Sequence, residues 1–334
     1  MSREKGERGS RVTATWLSII IPCLLIGFLS GCQSREGPAN LGSTAPEPWK
    51  RIDLPILNLN IYGLAFQGKE TFAVGERGLI LHFDEYRWER MSVSGQKDFD
   101  QHLFDVEFLS PKDGWAVGQR GTLLHFDGKV WRSLKSGVAV HLLALDCLIN
   151  GECWAVGEKG YILHHQEGKW QLLKLFEGEE GFPPRFSDVR FAGPEDGWAV
   201  GSYGAIFHYD GEVWAKMTSP TERNLYGLYF VSPEDGWAVG ALGTILHYDG
   251  QAWQLEESLT TATLFSVIFD TKGKKGWIVG QRGTLLQNDG ERWQLQPTPT
   301  QRFLYKVAFH NTEESLYLAG GLDSLLKLPH QGTE

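Results

Sequence analysis

The chain has 334 residues, 42% hydrophobic and 22% charged, which is a globular composition and excludes a disordered one. A formal net charge of −9 argues against a protein that coats nucleic acid. Four cysteines are too few for a disulfide scaffold or a Cys-rich zinc domain. Glycine (40) without a triplet period excludes a collagen-like chain.

The N-terminal segment reads as an address. Arg3, Lys5, Arg8 and Arg11 precede an apolar stretch from Trp16 to Leu29. That stretch is short for a membrane span and right for the core of a signal peptide. It ends in Leu29-Ser30-Gly31-Cys32, which resembles the lipobox of bacterial lipoproteins. The resemblance implies cleavage after residue 31 and acylation of Cys32 with palmitate-type chains. The expected product is exported and held on a bacterial membrane by lipid, on the periplasmic or outer-membrane side. It carries 28 Lys+Arg and 39 Asp+Glu, a net charge of −11. Residues 32–48 are polar and rich in Gly, Pro and Ser, a flexible tether with a reach of roughly 20 Å.

The rest, 49–330, is one unit repeated seven times. Gly114-Trp115-Ala116-Val117-Gly118 recurs around Trp154, Trp198, Trp237 and Trp277, with degenerate copies at Phe72 and Tyr317. The closing glycines at 75, 118, 157, 201, 240, 280 and 320 are 39 to 44 residues apart. A period near 40 with short strands predicts propeller blades.

Each unit reads as four antiparallel strands. Strand A ends in Phe66, Phe108, Phe191, Phe230, Phe269 or Phe309, with Cys147 in the third unit. Strand B is the Trp-Ala-Val run, and a Gly-x-x-Gly turn leads into strand C. An Asp-Gly hairpin, as at Asp127-Gly128 and Asp249-Gly250, leads into strand D near a Trp. Strand D tryptophans number six for seven units: Trp88, Trp131, Trp170, Trp214, Trp253 and Trp293. Trp49 precedes Gly63 by about the interval from Trp293 to Lys306. Trp49–Ile52 therefore supplies the outer strand of the last blade and closes the ring. The expected fold is all-β, a seven-bladed β-propeller.

The pattern Gly-Trp-Ala-Val-Gly-x-x-Gly-Thr-Ile-Leu-His, then Asp-Gly and Trp, resembles the BNR/Asp-box-like repeats of the photosystem II stability and assembly factor family. The resemblance covers about 280 residues and implies a seven-bladed, non-catalytic propeller that binds a protein partner through an arginine-rich patch. That patch carries over to Arg77, Arg120 and Arg282. Asp and Gly are adjacent here, and the Ser and Thr of the full Asp box are missing. Asp-box propellers also include sialidases, so a glycan-binding or glycoside-hydrolase propeller is the alternative. The acidic residues mostly recur with the blade period, as turn residues do, so no catalytic residue, metal or cofactor is expected. Glu177-Gly178-Glu179-Glu180 is unique and reads as a solvated loop.

Two further groups stand out. His82, His125, His164, His208 and His247 recur once per blade, too far apart to share an ion, and predict a repeated structural hydrogen bond. Cys147 and Cys153 flank one hairpin, and a disulfide between them suits an exported chain. The last variable position of the Gly-x-x-Gly turn is Arg77, Arg120, Lys159, Tyr203, Leu242, Arg282 and Leu322. This predicts a basic arc on the face of the B–C turns, joined by Arg185, Arg223 and Arg302. The opposite face collects Asp113, Asp127, Asp196, Asp210, Asp235, Asp249 and Asp289.

Overall fold

The computed structural model describes residues 49–56, 58–176 and 183–329, all within one compact unit, Ala45–Glu334. The signal segment, Cys32, the tether and the 177–180 acidic run lie outside the described residues.

Strands B and C are apolar on both faces because each blade is covered on both sides. In strand B of blade 1, Glu70–Gly75, successive side chains enter different cores. Phe72 and Val74 pack with Val106, Ala116 and Trp131 of blade 2. Ala73 packs with Tyr317 and Ala319 of blade 7. The same alternation gives seven apolar clusters, one between each neighbouring pair of blades.

These interfaces hold seven four-stranded antiparallel sheets, in sequence order within six of them. In the seventh, Lys50–Arg51 pairs with Leu325–Leu328, beside Ser315–Gly320 and Leu304–His310. Lys50 lies opposite Lys327 and Arg51 opposite Leu326. The N-terminal strand thus completes the last blade, entering from the face of the C–D turns.

In blades 2, 4, 5 and 6, strand A packs its terminal phenylalanine over the first glycine of strand B. A Cβ at Gly114 would sit inside the Phe108 ring, and one at Gly236 inside Phe230. Blade 3 has neither partner. There Cys147 and Cys153 stand opposite each other and are joined by a disulfide. The bond occupies the place that an aromatic-on-glycine contact fills in its neighbours.

Candidate functional site

The B–C turns are seven copies of one device. After the closing glycine, three residues form a tight turn whose middle residue adopts the left-handed conformation. Those residues are Arg77, Arg120, Lys159, Tyr203, Leu242, Arg282 and Leu322, with φ between 51° and 59°. All are exposed. A non-glycine residue pays about 1 kcal/mol or more for this conformation. Glycine would remove that strain, yet every tip carries a long side chain.

The next blade fixes four of the tips. Arg77 donates its N–H to His102 Nδ1 (3.1 Å) and Arg120 to His141 Nδ1 (3.2 Å). Tyr203 N–H donates to Asn224 Oδ1 (2.9 Å) and Leu322 N–H to Asn60 Oδ1 (3.1 Å). Burial lowers the His102 pKa, which favours the neutral ring needed to accept at Nδ1.

The three remaining predicted basic residues fall in the blades whose tips carry no charge. Arg302 Nη1 donates to the carbonyl of tip residue Leu322 (2.8 Å). Arg223 Nη1 lies 3.5 Å from the carbonyl of tip residue Leu242. Arg185 N–H donates to Ser202 Oγ, beside Tyr203 (2.9 Å), and its Nε has no hydrogen-bond partner. Each of the seven blades therefore brings at least one cation to this face. Among the described residues, none of the seven forms an ion pair. Glu76 and Glu158 instead accept the backbone N–H groups of Asn60 and His141.

The opposite face spends its acids on structure. Each repeated histidine presents Nε2 to a carboxylate twelve residues earlier: His82 to Glu70 (2.7 Å), His125 to Asp113 (2.9 Å), His164 to Glu152 (3.2 Å), His208 to Asp196 (2.8 Å) and His247 to Asp235 (3.0 Å). Each ring also lies against the strand B aromatic, at 3.7 to 4.4 Å between centroids. In blade 7, Lys327 takes this place, bonded to Glu313 (2.6 Å) and 5.2 Å above the Tyr317 ring. Asp210, Asp249 and Asp289 hold C–D turn N–H groups, and those bonds lower their pKa values. Asp196 also accepts from Trp198 Nε1 (2.8 Å). Asp196→Ala should cost about 1–3 kcal/mol in chemical denaturation, because two donors lose their acceptor at once. A loss under half that range would show the network to be incidental. Among the described residues, no cluster of His, Cys, Asp or Glu could hold a metal ion.

The sequence reading missed the channel. A bulge after the first residue of every strand A shifts its register. In five blades the next residue is aromatic and forms part of a collar near the basic face; in blades 3 and 4 it is Leu143 and Ser187. Tyr226, Phe265, Tyr305, Tyr62 and Phe104 follow one another at 5.1 to 5.9 Å. Beyond it lies a charged layer. Arg190 stands 3.4 Å from Asp146, 3.5 Å from Glu107 and 3.7 Å from Asp188. Lys306 reaches past Gly63 to Asp105 (3.1 Å). Asp105, Asp146 and Asp188 each also accept a backbone N–H from strand A of the next blade. Burial pushes the Glu107 carboxyl up to about 8, against the pull of Arg190. Burial also raises Asp146 and Asp188. It opposes the charge of Arg190, but the surrounding carboxylates outweigh it and keep the guanidinium protonated.

Fold and site together define a repeat propeller that displays seven rigid turn tips and seven cations on one face. The chain belongs to the photosynthesis system II assembly factor YCF48 family, whose model matches residues 84–208 and 210–289. It is similar in fold to a structure of YCF48 bound to D1 peptide, with a TM-score of 0.69 and 20% identity over 85% of this chain and 97% of that one. A second match is YCF48 from Cyanidioschyzon merolae, with a TM-score of 0.69 and 17% identity over 84% and 98%. No curated protein matches the sequence.

Proposed function

We propose that this protein is a non-catalytic assembly factor, exported and held to a bacterial membrane through acylated Cys32, that binds a protein partner on its B–C face. The observation that carries this reading is the complementarity of the seven cations. Where a tip is not basic, at Tyr203, Leu242 and Leu322, the preceding loop supplies Arg185, Arg223 or Arg302. A scattered surface charge has no reason to follow that rule. Strain retained at every tip points the same way, toward side chains kept for what they touch. A family relative that binds a D1 peptide supports a polypeptide partner. Seven cations without an ion pair among the described residues favour an acidic one.

The chain enters the propeller from the face opposite the tips. A tether there turns the basic face away from the lipid and toward soluble parts of a membrane complex. The test is affinity purification from crosslinked native membranes, with Arg77, Arg120 and Arg282 changed together to Glu. A partner enriched by the wild type should be lost with the variant, and its binding should weaken as salt rises. Unchanged partners, or salt-insensitive binding, would remove the basic face from the account.

A further inference from the structure

The charged layer of the channel lies beyond the aromatic collar, away from the turn tips. It floors a cavity of ≈ 420 Å³. The cavity reaches the opposite face, where Gly68, Asn311 and Thr312 of the A–B turns form its mouth. Its walls are apolar, including Leu64, Val267, Val307 and Ala308.

Two polar groups in this cavity are not used up by the fold. Glu107 has a single contact, the 3.5 Å approach of Arg190, whereas Asp105, Asp146 and Asp188 each also hold a backbone N–H. Its side chain is 31% accessible, and that surface faces the channel. His310 is 1% exposed, and its Nε2 makes no hydrogen bond. Its Nδ1 accepts from Glu313 N–H (3.1 Å), and burial keeps the ring neutral. Nε2 therefore carries the proton, a buried donor without an acceptor. The backbone of Gly68 in the next blade lies close by without meeting hydrogen-bond geometry.

The two groups specify a ligand. Carboxyl groups outnumber cations four to two in this layer, and the one that holds a proton, Glu107, can exchange it for a cation, so the occupant is a cation and not an anion. A guanidinium would compete with Arg190 for the carboxylates it already bridges, whereas a compact ammonium needs only one. By strand register, His310 lies two residues further out than Ala308, the blade 7 counterpart of Glu107, a step of roughly 7 Å. The step is axial, and a lysine stem also crosses the channel from His310 on blade 7 to Glu107 on blade 2.

We propose that this cavity is a second recognition site, which takes a lysine side chain presented by a partner polypeptide at the A–B face. The ammonium meets Glu107, the methylene stem lies along the apolar walls, and the lysine's own carbonyl accepts from His310 Nε2.

The test is calorimetric titration of the full-length protein with acetyl-Gly-Lys-Gly-amide and with its Gln counterpart. The lysine peptide should bind at least tenfold more tightly. Glu107→Gln should abolish that preference, and so should Ala308→Leu, which fills the cavity without touching a charge. The Arg77, Arg120, Arg282→Glu variant should retain it. At pH 7, binding should release a proton, because an ammonium at Glu107 expels the proton that burial holds there among Arg190, Asp105, Lys306 and Asp146. Asp127, Asp210, Asp249 and Asp289 of the outer face, whose pKa values are lowered by the turn N–H groups they accept, have no proton to release. Equal affinity for the two peptides, no binding of either, or a lysine preference that survives in both cavity variants would overturn the proposal. Should Glu107→Gln fail to fold, Ala308→Leu decides.

Discussion

Arg190→Met is expected to cost about 3–5 kcal/mol of folding stability, because it strips one guanidinium from three carboxylates that the fold has already buried. The loss should depend on pH. The folded-state pKa of Glu107 stands at about 8, above its unfolded value, so the folded protein holds the extra proton between the two. Stability therefore falls as pH climbs from the unfolded carboxylate range to about 8. Asp146 and Asp188 are raised as well and add to the same slope. Without Arg190 only Lys306 and the backbone N–H groups of Phe191 and Leu228 oppose their desolvation, so the slope steepens and the variant is least stable at pH 8. Urea denaturation at pH 5 and pH 8 measures both effects. A loss below about 1 kcal/mol at pH 8 would mean that water, not the guanidinium, satisfies these carboxylates.

This cluster was hidden from the sequence for a physical reason. Asp105, Glu107, Asp146, Asp188, Arg190 and Lys306 come from four different blades; an acid recurs at the strand A position of Asp105 and Asp188 and at that of Glu107 and Asp146, but in no other blade. Only closure of the ring brings Lys306 to Asp105, 201 residues earlier. A signal was present nonetheless. These are charges inside strands A, whose neighbouring residues are apolar. The blades themselves were plain, because Gly-Trp-Ala-Val-Gly states the interface and the turn in five residues. The histidine network was half legible. One histidine per blade announces a structural bond, but the partner twelve residues back depends on the pairing of strands B and C. The turn tips were visible as positions and not as conformations. Nothing in Arg, Lys, Tyr or Leu announces a positive φ; six of the tips stand between a closing glycine and a second buried glycine, and the seventh, Leu322, is followed by Asp323. The rule linking uncharged tips to Arg185, Arg223 and Arg302 likewise needed the loop and the tip in contact.

Trp49→Ala should cost about 3–5 kcal/mol and should open the propeller at one defined seam. Blade 7 takes its outer strand from Lys50–Arg51, only two residues long, whose side chains are exposed. Two ladder residues cannot hold the ring shut by themselves. The Trp49 ring is 8% exposed and packs with Trp277, Leu316, Leu318 and Leu326. Its burial anchors the strand, and the strand covers the edge that Leu325–Leu328 would otherwise expose. In native-state hydrogen exchange, the amides of Leu325–Leu328 should lose protection before those of any other inner strand. Trp293→Ala, at the equivalent place in blade 6, is the control. It removes similar buried area, but its blade is one continuous stretch of chain, so its exchange should spread without a seam. If both variants open alike, closure is no weaker than any other blade. If Trp49→Ala opens first, the tether has a mechanical consequence. Any pull through the proposed lipid anchor would reach the propeller at Trp49, the residue whose burial holds the closing strand.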